Sequence, residues 1–201
     1  MAEPIDFYFD FSSPYGYLVS EKIDALAAQH GRKVRWHPIL LGVIFKTTGS
    51  APLTLQHPAK AAYYVGDFAR SARFLGVPFK QPSRFPLPTQ VAARAYYWLH
   101  GQDCALARQF AHAVYRALFI EDRDISDPET IFEISAKNAI DRSILEPALQ
   151  SPEIKSRLKD EVEQAMAGGV FGSPTVIIDG ETFFGADRLP QIERWLATGG
   201  F

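Results

Sequence analysis

At 201 residues, 47% apolar and 13% aromatic, the chain can form one large domain with a sizeable packed core, which argues against disorder. Its formal net charge of −2, from 21 basic and 23 acidic side chains interleaved along the chain, provides neither a cationic stripe for nucleic acid nor a like-charge tail. The single cysteine, Cys104, excludes an internal disulfide, a CxxC redox pair and a thiolate zinc site, and the five histidines form no HExxH pair, so no metal is expected.

No apolar run approaches the roughly 18 residues that cross a bilayer. The first stretch, "MAEPIDFYFDF", lacks a basic segment followed by an unbroken apolar run. The chain is therefore expected to act without nucleic acid or membrane, in the cytoplasm, where a lone thiol is at home.

Ile5 to Phe11 predicts a strand, with apolar residues at 5, 7, 8, 9 and 11 suited to cover on both faces. Tyr15, Leu18, Val19, Ile23 and Leu26 then follow helical spacing, with Gly31 as a stop. "KVRWHPILL" predicts a second strand, Val34 to Leu40, in which Pro38 asks for an edge or irregular pairing. A helical connection of this length favours a parallel pair.

From about Pro58 to Gly168 helical spacing dominates, with helices expected at 58–75, 89–100, 103–119, 128–138, 142–149 and 152–167. Asp127 is the expected N-cap of one, with Pro128 at its first position. "FKQPSRFPLP" reads as a proline-rich connector between helices. Strand character returns in "SPTVIIDGETFFG", at 175–179 and 181–184 around the hairpin pair Asp179-Gly180. A last helix is expected from about Arg188 to Ala197, ended by Gly199 and Gly200.

The order βαβ, helical block, ββα implies an α/β class: a thioredoxin-like fold with a large all-helical insertion. Residues 1–41 and 169–201 would form the discontinuous thioredoxin-like domain, and residues 42–168 the insertion.

The segment "SSPYG" joins the first strand to the first helix. Pro14 suits the first helical position, which makes Ser13 the N-cap. Capping alone explains such a serine. A hydroxyl also has one donor and two acceptor lone pairs, so it can cap and still donate to a ligand. A helix start further favours an anion such as a thiolate.

A strand followed by S-P-x-x resembles the place where disulfide oxidoreductases carry C-P-x-C, with Ser13 and Gly16 at the two redox positions. Disulfide exchange is thereby rejected. The blocks "FYFDFSSPYGYL", "GVIFKTTGSAPLTLQHPAK", "EDRDISDPETI" and "FGSPT…FFGADRL" span essentially the whole chain. Together they resemble the DsbA-like branch that comprises kappa-class glutathione transferases and 2-hydroxychromene-2-carboxylate isomerases. The resemblance implies glutathione as cofactor, a small aromatic substrate and a homodimer.

The same resemblance assigns roles residue by residue. Ser13 would activate the thiol of glutathione. Pro174 would follow a cis bond, leaving the Ser173 N–H and C=O open to an extended peptide; a trans strand-start proline is the alternative. Ala186, Asp187 and Arg188 match the kappa S-D-R segment at the γ-glutamyl end. Asp187 would accept from the ammonium group, or else cap the last helix, and Ala186 would keep only a backbone contact. Lys60 matches a lysine that meets the glycine carboxylate; judged alone, a lysine near a helix start is usually just solvated, and its place in P-x-K after "TTGSAP" favours the contact.

Ser50 stands where the family has asparagine, which puts one contact in question. Arg94 falls on a family arginine, or snorkels at the surface. Asp10, three residues before Ser13, either orients water and shifts the local field or, as the better reading, is a strand-end carboxylate satisfied by backbone donors, and Cys104 reads as a buried structural thiol.

The implied reaction is reversible thiolate addition that isomerises a cis double bond, of the type 2-hydroxychromene-2-carboxylate to trans-o-hydroxybenzylidenepyruvate. A kappa-like transferase is one alternative. The other is a non-catalytic thiol-peptide binder on a thioredoxin-like scaffold, which turnover would distinguish.

Overall fold

The computed structural model describes residues 3–201. Its strands come from the two ends of the chain. β1 (Ile5–Phe9) pairs in parallel with β2 (Val34–Pro38) and antiparallel with β3 (Thr175–Ile178), which turns back into β4 (Glu181–Phe184). The sheet order is β2-β1-β3-β4. β2 is thus an edge strand, where Pro38 interrupts no ladder on its outer side. The hairpin turn has positive φ at both central residues, 53° at Asp179 and 86° at Gly180, as a two-residue turn of matching twist requires.

The first helical stretch is two helices, α1 (Pro14–Ser20) and α2 (Ile23–Gln29). At the break the Ser20 hydroxyl donates to the Tyr17 carbonyl at 2.7 Å, a back-bond of the kind that often bends helices. A further helix, α3 (Leu41–Thr48), lies where no helix was expected. There follow α4 (Pro58–Leu75), α5 (Gln90–His100), α6 (Cys104–Phe119), α7 (Pro128–Lys137), α8 (Arg142–Gln150) and α9 (Pro152–Ala167). Asp127 caps α7 through the Glu129 N–H at 3.0 Å. The last helix, α10 (Leu189–Thr198), is preceded by a 3-10 turn at Ala186–Arg188.

Cys104 is exposed rather than buried. It opens α6 directly after the N-cap Asp103, whose carboxylate holds the Ala105 N–H at 2.7 Å, and a first-turn position of this kind faces water.

One face of the sheet builds an aromatic core. Phe7 and Phe9 meet Trp36 at 5.2 and 5.3 Å between ring centroids, and Phe9 and Phe11 meet Tyr115 of α6 at 5.7 and 5.4 Å. Tyr17 of α1 stacks on Phe119 at 5.2 Å. The buried cluster is continuous from the sheet into α5 and α6, and each such ring contributes roughly 1.5–3 kcal/mol by burial. The other face carries an ionic cluster at its β1–β2 side. Asp6 accepts from Arg35 at 2.7 Å and contacts His37 at 2.9 Å, and Glu161 of α9 faces the second His37 nitrogen at 3.9 Å. Among the described residues no helix is long and apolar enough to cross a membrane.

Candidate active site

β1 ends at Phe9, and the chain turns through Asp10–Ser13 into α1. Ser13 keeps extended backbone (φ −94°, ψ 113°) and its Oγ accepts the Gly16 N–H at 3.0 Å. Its own proton goes to the Ser173 carbonyl, 3.1 Å away. The Ser173–Pro174 bond is cis. Capping and donation therefore coexist, but the acceptor is the protein itself. The Ser173 carbonyl, expected to stand open, carries the Ser13 hydroxyl on one lone pair and keeps the second. With only seven residues, α1 adds a weaker end charge than a long helix would.

Ser173 is held by a second bond, with its Oγ accepting the Asp10 N–H at 3.0 Å. That hydroxyl donates to no group among the described residues. Behind it lies Gly16. A Cβ at that position would stand 2.9 Å from Ser173 Oγ, 2.9 Å from the Tyr115 hydroxyl and 3.1 Å from Ser13 Cβ. The space that a second redox cysteine would use is thus filled by two hydroxyls.

Asp10 ties this loop to the rest of the fold. One carboxylate oxygen accepts the Ser12 N–H at 2.7 Å and the Thr89 hydroxyl at 3.1 Å, and the other accepts the Leu41 N–H at 2.8 Å. Thr89 is the N-cap residue of α5 and Leu41 the first residue of α3, so one carboxylate serves the starts of three helices. The Asp10 carbonyl accepts the Tyr115 hydroxyl at 3.1 Å. Burial pushes the Asp10 pKa up, to about 6, against the opposing effect of the Leu41, Ser12 and Thr89 donors.

Other candidate residues surround this centre at greater distance. The turn Ala186–Arg188 packs against α1, with Ala186 buried. Asp187 is well exposed and pairs with Arg188 at 3.3 Å. It is not the cap of α10, since Arg188 occupies the position before that helix and makes no side-chain cap.

Lys60 is exposed in the first turn of α4 and forms no ion pair among the described residues. Its helix is bound to α1 through Tyr15, whose hydroxyl donates to Asp67 at 2.5 Å and whose ring meets Phe68 at 5.1 Å. Burial, and then Asp67, push the Tyr15 hydroxyl pKa up, so it stays a neutral donor. Ser50 is exposed beyond α3 and bonds to none of the others. Arg94 is half-buried on α5, its Nε without a partner among the described residues.

The structure thus brings Ser13, Ser173 and Pro174 into one cluster, sets the 186–188 turn on the same helix, and places Lys60 on a neighbouring helix clamped to it. Sequence reasoning missed Ser12, Thr89, Tyr115 and the Tyr15–Asp67 clamp. Only Tyr115 carried a signal, because it continues the buried helical stripe Ala107, Phe110, Ala111, Val114. No group of three or more metal-ligating side chains occurs among the described residues.

Comparison with known proteins gives concordant results. A family model described as a DSBA-like thioredoxin domain matches residues 4–197. A 2-hydroxychromene-2-carboxylate isomerase of Sphingobium xenophagum is 30% identical over 98% of this chain and 99% of its own. Glutathione S-transferase kappa 2 of Caenorhabditis elegans is 27% identical over 96% of this chain and 91% of its own. A solved structure of 2-hydroxychromene-2-carboxylate isomerase superposes with a TM-score of 0.86 at 27% identity, covering 96% of this chain and 94% of the other. The chain is therefore an enzyme of the DsbA-like thioredoxin family and belongs to its 2-hydroxychromene-2-carboxylate isomerase-like branch.

Proposed function

We propose that the protein catalyses a glutathione-dependent cis–trans isomerisation of an aromatic unsaturated 2-oxo acid, as a cytoplasmic homodimer. The observation that carries this reading is the Ser13 hydroxyl, held against the cis-Pro174 loop at 3.1 Å from the Ser173 carbonyl beside a Gly16 with no room for a second thiol. Bound glutathione would supply a thiolate able to add reversibly to a conjugated carbon.

The protein's part is to hold that sulfur as an anion. When the Ser13 hydroxyl turns to an incoming thiolate it releases the Ser173 carbonyl, which can then accept a peptide N–H from the same ligand. A hydrogen bond to a charged group is worth about 1.5–3 kcal/mol, equivalent to lowering a thiol pKa by about one to two units. The outer residues suit the charged ends of the tripeptide: Asp187 an ammonium, Arg188 and the turn's N–H groups a carboxylate, and Lys60 the other carboxylate. Ala186 would offer its backbone alone, and Ser50 a hydroxyl.

Kappa-class relatives support a transferase as the second reading. The isomerase is favoured because isomerase relatives supply both the 30% identity and the TM-score of 0.86. The test is to titrate the ultraviolet thiolate absorbance of bound glutathione in wild type and Ser13→Ala, then to assay turnover of an arylidene-pyruvate and of a standard electrophile. A thiol pKa well below the free value, restored in Ser13→Ala, together with isomerisation, is the expected result. Conjugation without isomerisation would select the transferase, and binding without turnover would select the binder.

A further inference from the structure

Two phenylalanines at the rim of the Ser13 cluster are left open to solvent. Phe171 is 49% exposed and Phe184 is 44% exposed, and their rings meet at 4.7 Å with a 49° tilt. β4 alternates here: Phe183 turns into the core against Trp195 at 5.8 Å, while Phe184 faces outward. The register places Phe184 opposite Thr175, and Thr175 opposite Tyr8. That row crosses the sheet at the end where β1 delivers the Asp10–Ser13 turn.

Gly172 shows that the ring is seated there by construction. A Cβ at Gly172 would stand 2.5 Å from the Phe184 ring, so only glycine lets the ring lie on the backbone at that point. Gly172 directly precedes Ser173, whose carbonyl takes the Ser13 proton. Phe171 therefore stands two residues, at most about 7 Å of chain, from Ser173, and the Phe184 ring lies on the glycine between them.

We infer that Phe171 and Phe184 form the platform on which the aromatic part of the substrate lies, and that they set the preference for aromatic over aliphatic acceptors. This inference rests on the glutathione reading above. A substrate carbon joined to a sulfur at Ser13 would extend its substituent along the 171–174 loop, where Phe171 and Phe184 are the exposed aromatic side chains. Aromatic groups gain from offset or tilted contact beyond their buried area. Both side chains would then be specificity residues that never touch the reacting proton.

The test compares binding of S-benzylglutathione and S-methylglutathione by calorimetry, in wild type, Phe184→Ala, Phe184→Leu and Phe171→Ala, with sedimentation of each variant. Wild type should bind the benzyl thioether about tenfold more tightly. Phe184→Ala should remove most of that ratio while leaving S-methylglutathione affinity unchanged, and Phe184→Leu should lose part of it. Equal affinities for the two thioethers in wild type, or a ratio that survives both alanine variants, would overturn the platform. A change of association state with an unchanged ratio would instead make the face a contact between copies of the chain. If neither thioether binds, the glutathione reading itself falls, a result distinct from the others.

Discussion

Gly16→Ala should destabilise the protein, contrary to what the same change does in most helices. Gly16 occupies the third position of α1, where alanine ordinarily gains about 1 kcal/mol over glycine. Here the added methyl would stand 2.9 Å from both Ser173 Oγ and the Tyr115 hydroxyl. Tyr115 has no retreat: it is fully buried among Phe9, Phe11, Tyr17 and Phe119 and donates to the Asp10 carbonyl. Ser173 could rotate, but the buried Asp10 N–H would then lose its acceptor, at about 1–3 kcal/mol. Overpacking adds about 1–3 kcal/mol. After the helix gain of about 1 kcal/mol is subtracted, the expected net loss is roughly 1–5 kcal/mol, measurable by urea unfolding with an unchanged denaturant slope. An alanine variant as stable as wild type, or more stable, would show that the crowding around Gly16 is not real. By the same geometry, the pair Ser13→Cys and Gly16→Cys should fail to give an insulin-reducing dithiol.

Three further outcomes follow from other parts of the structure. Because the Asp10 pKa is raised to about 6, its burial favours folding below its ordinary value near 3.8 and that contribution is lost as pH rises through about 6. Asp10→Asn should abolish this part of the melting-temperature profile between pH 4 and 8, and coincident profiles would refute the assignment. For His37, burial lowers the pKa, but the bonds to Asp6 and Glu161 outweigh it and the net shift is upward, while both carboxylates are shifted down. The His37 contribution is complete below its unfolded pKa and lost as pH rises through the folded one. The carboxylates lose theirs as pH falls through their lowered values, so His37→Gln should cost most near pH 5–6 and least above pH 8. An equal loss in chemical unfolding at both pH values would contradict this. Tyr15→Phe breaks the bond to Asp67 that holds α4 against α1; it should weaken glutathione binding through the misplaced Lys60 and leave the bound thiol pKa unaltered. A shifted pKa in that variant would show that Tyr15 acts on the sulfur rather than on α4.

The sequence made the outer frame legible because its signals are local. Asp179-Gly180, Pro128 after Asp127, and the apolar spacing of 58–75 and 152–167 each act over a few residues, and the structure has the hairpin, the cap and both helices there. α3 escaped because "LGVIFKTT" has no capping side chain before it; the role falls to Asp10, 31 residues away, through the Leu41 N–H. The split between α1 and α2 escaped because serine is a common helix residue and its back-bond to Tyr17 has no signature in spacing. Ser13 was visible as a cap, whereas its acceptor lies 160 residues away and depends on how the two chain ends meet. Asp10 was read rightly as satisfied by backbone donors, but its partner Thr89, 79 residues distant, could not be named.

The hydrogen-bond pattern also limits what Ser13 can do. Among the described residues the Ser13 hydroxyl bonds only the Gly16 N–H and the Ser173 carbonyl, and no carboxylate, imidazole or amine accepts its proton. In the proposed function Ser13 would therefore act by changing partners rather than by losing a proton. A simple thiolate could draw the hydroxyl away, but it would leave the Ser173 carbonyl without the donor it had, at about 1–3 kcal/mol if no water reaches it. A thiol carried on a peptide brings an N–H to the vacated carbonyl along with the sulfur. On the proposed function, such a ligand would replace the hydrogen bond that the Ser173 carbonyl gives up when Ser13 turns to the sulfur, so a peptide thiol should bind more tightly than a simple thiol of similar size.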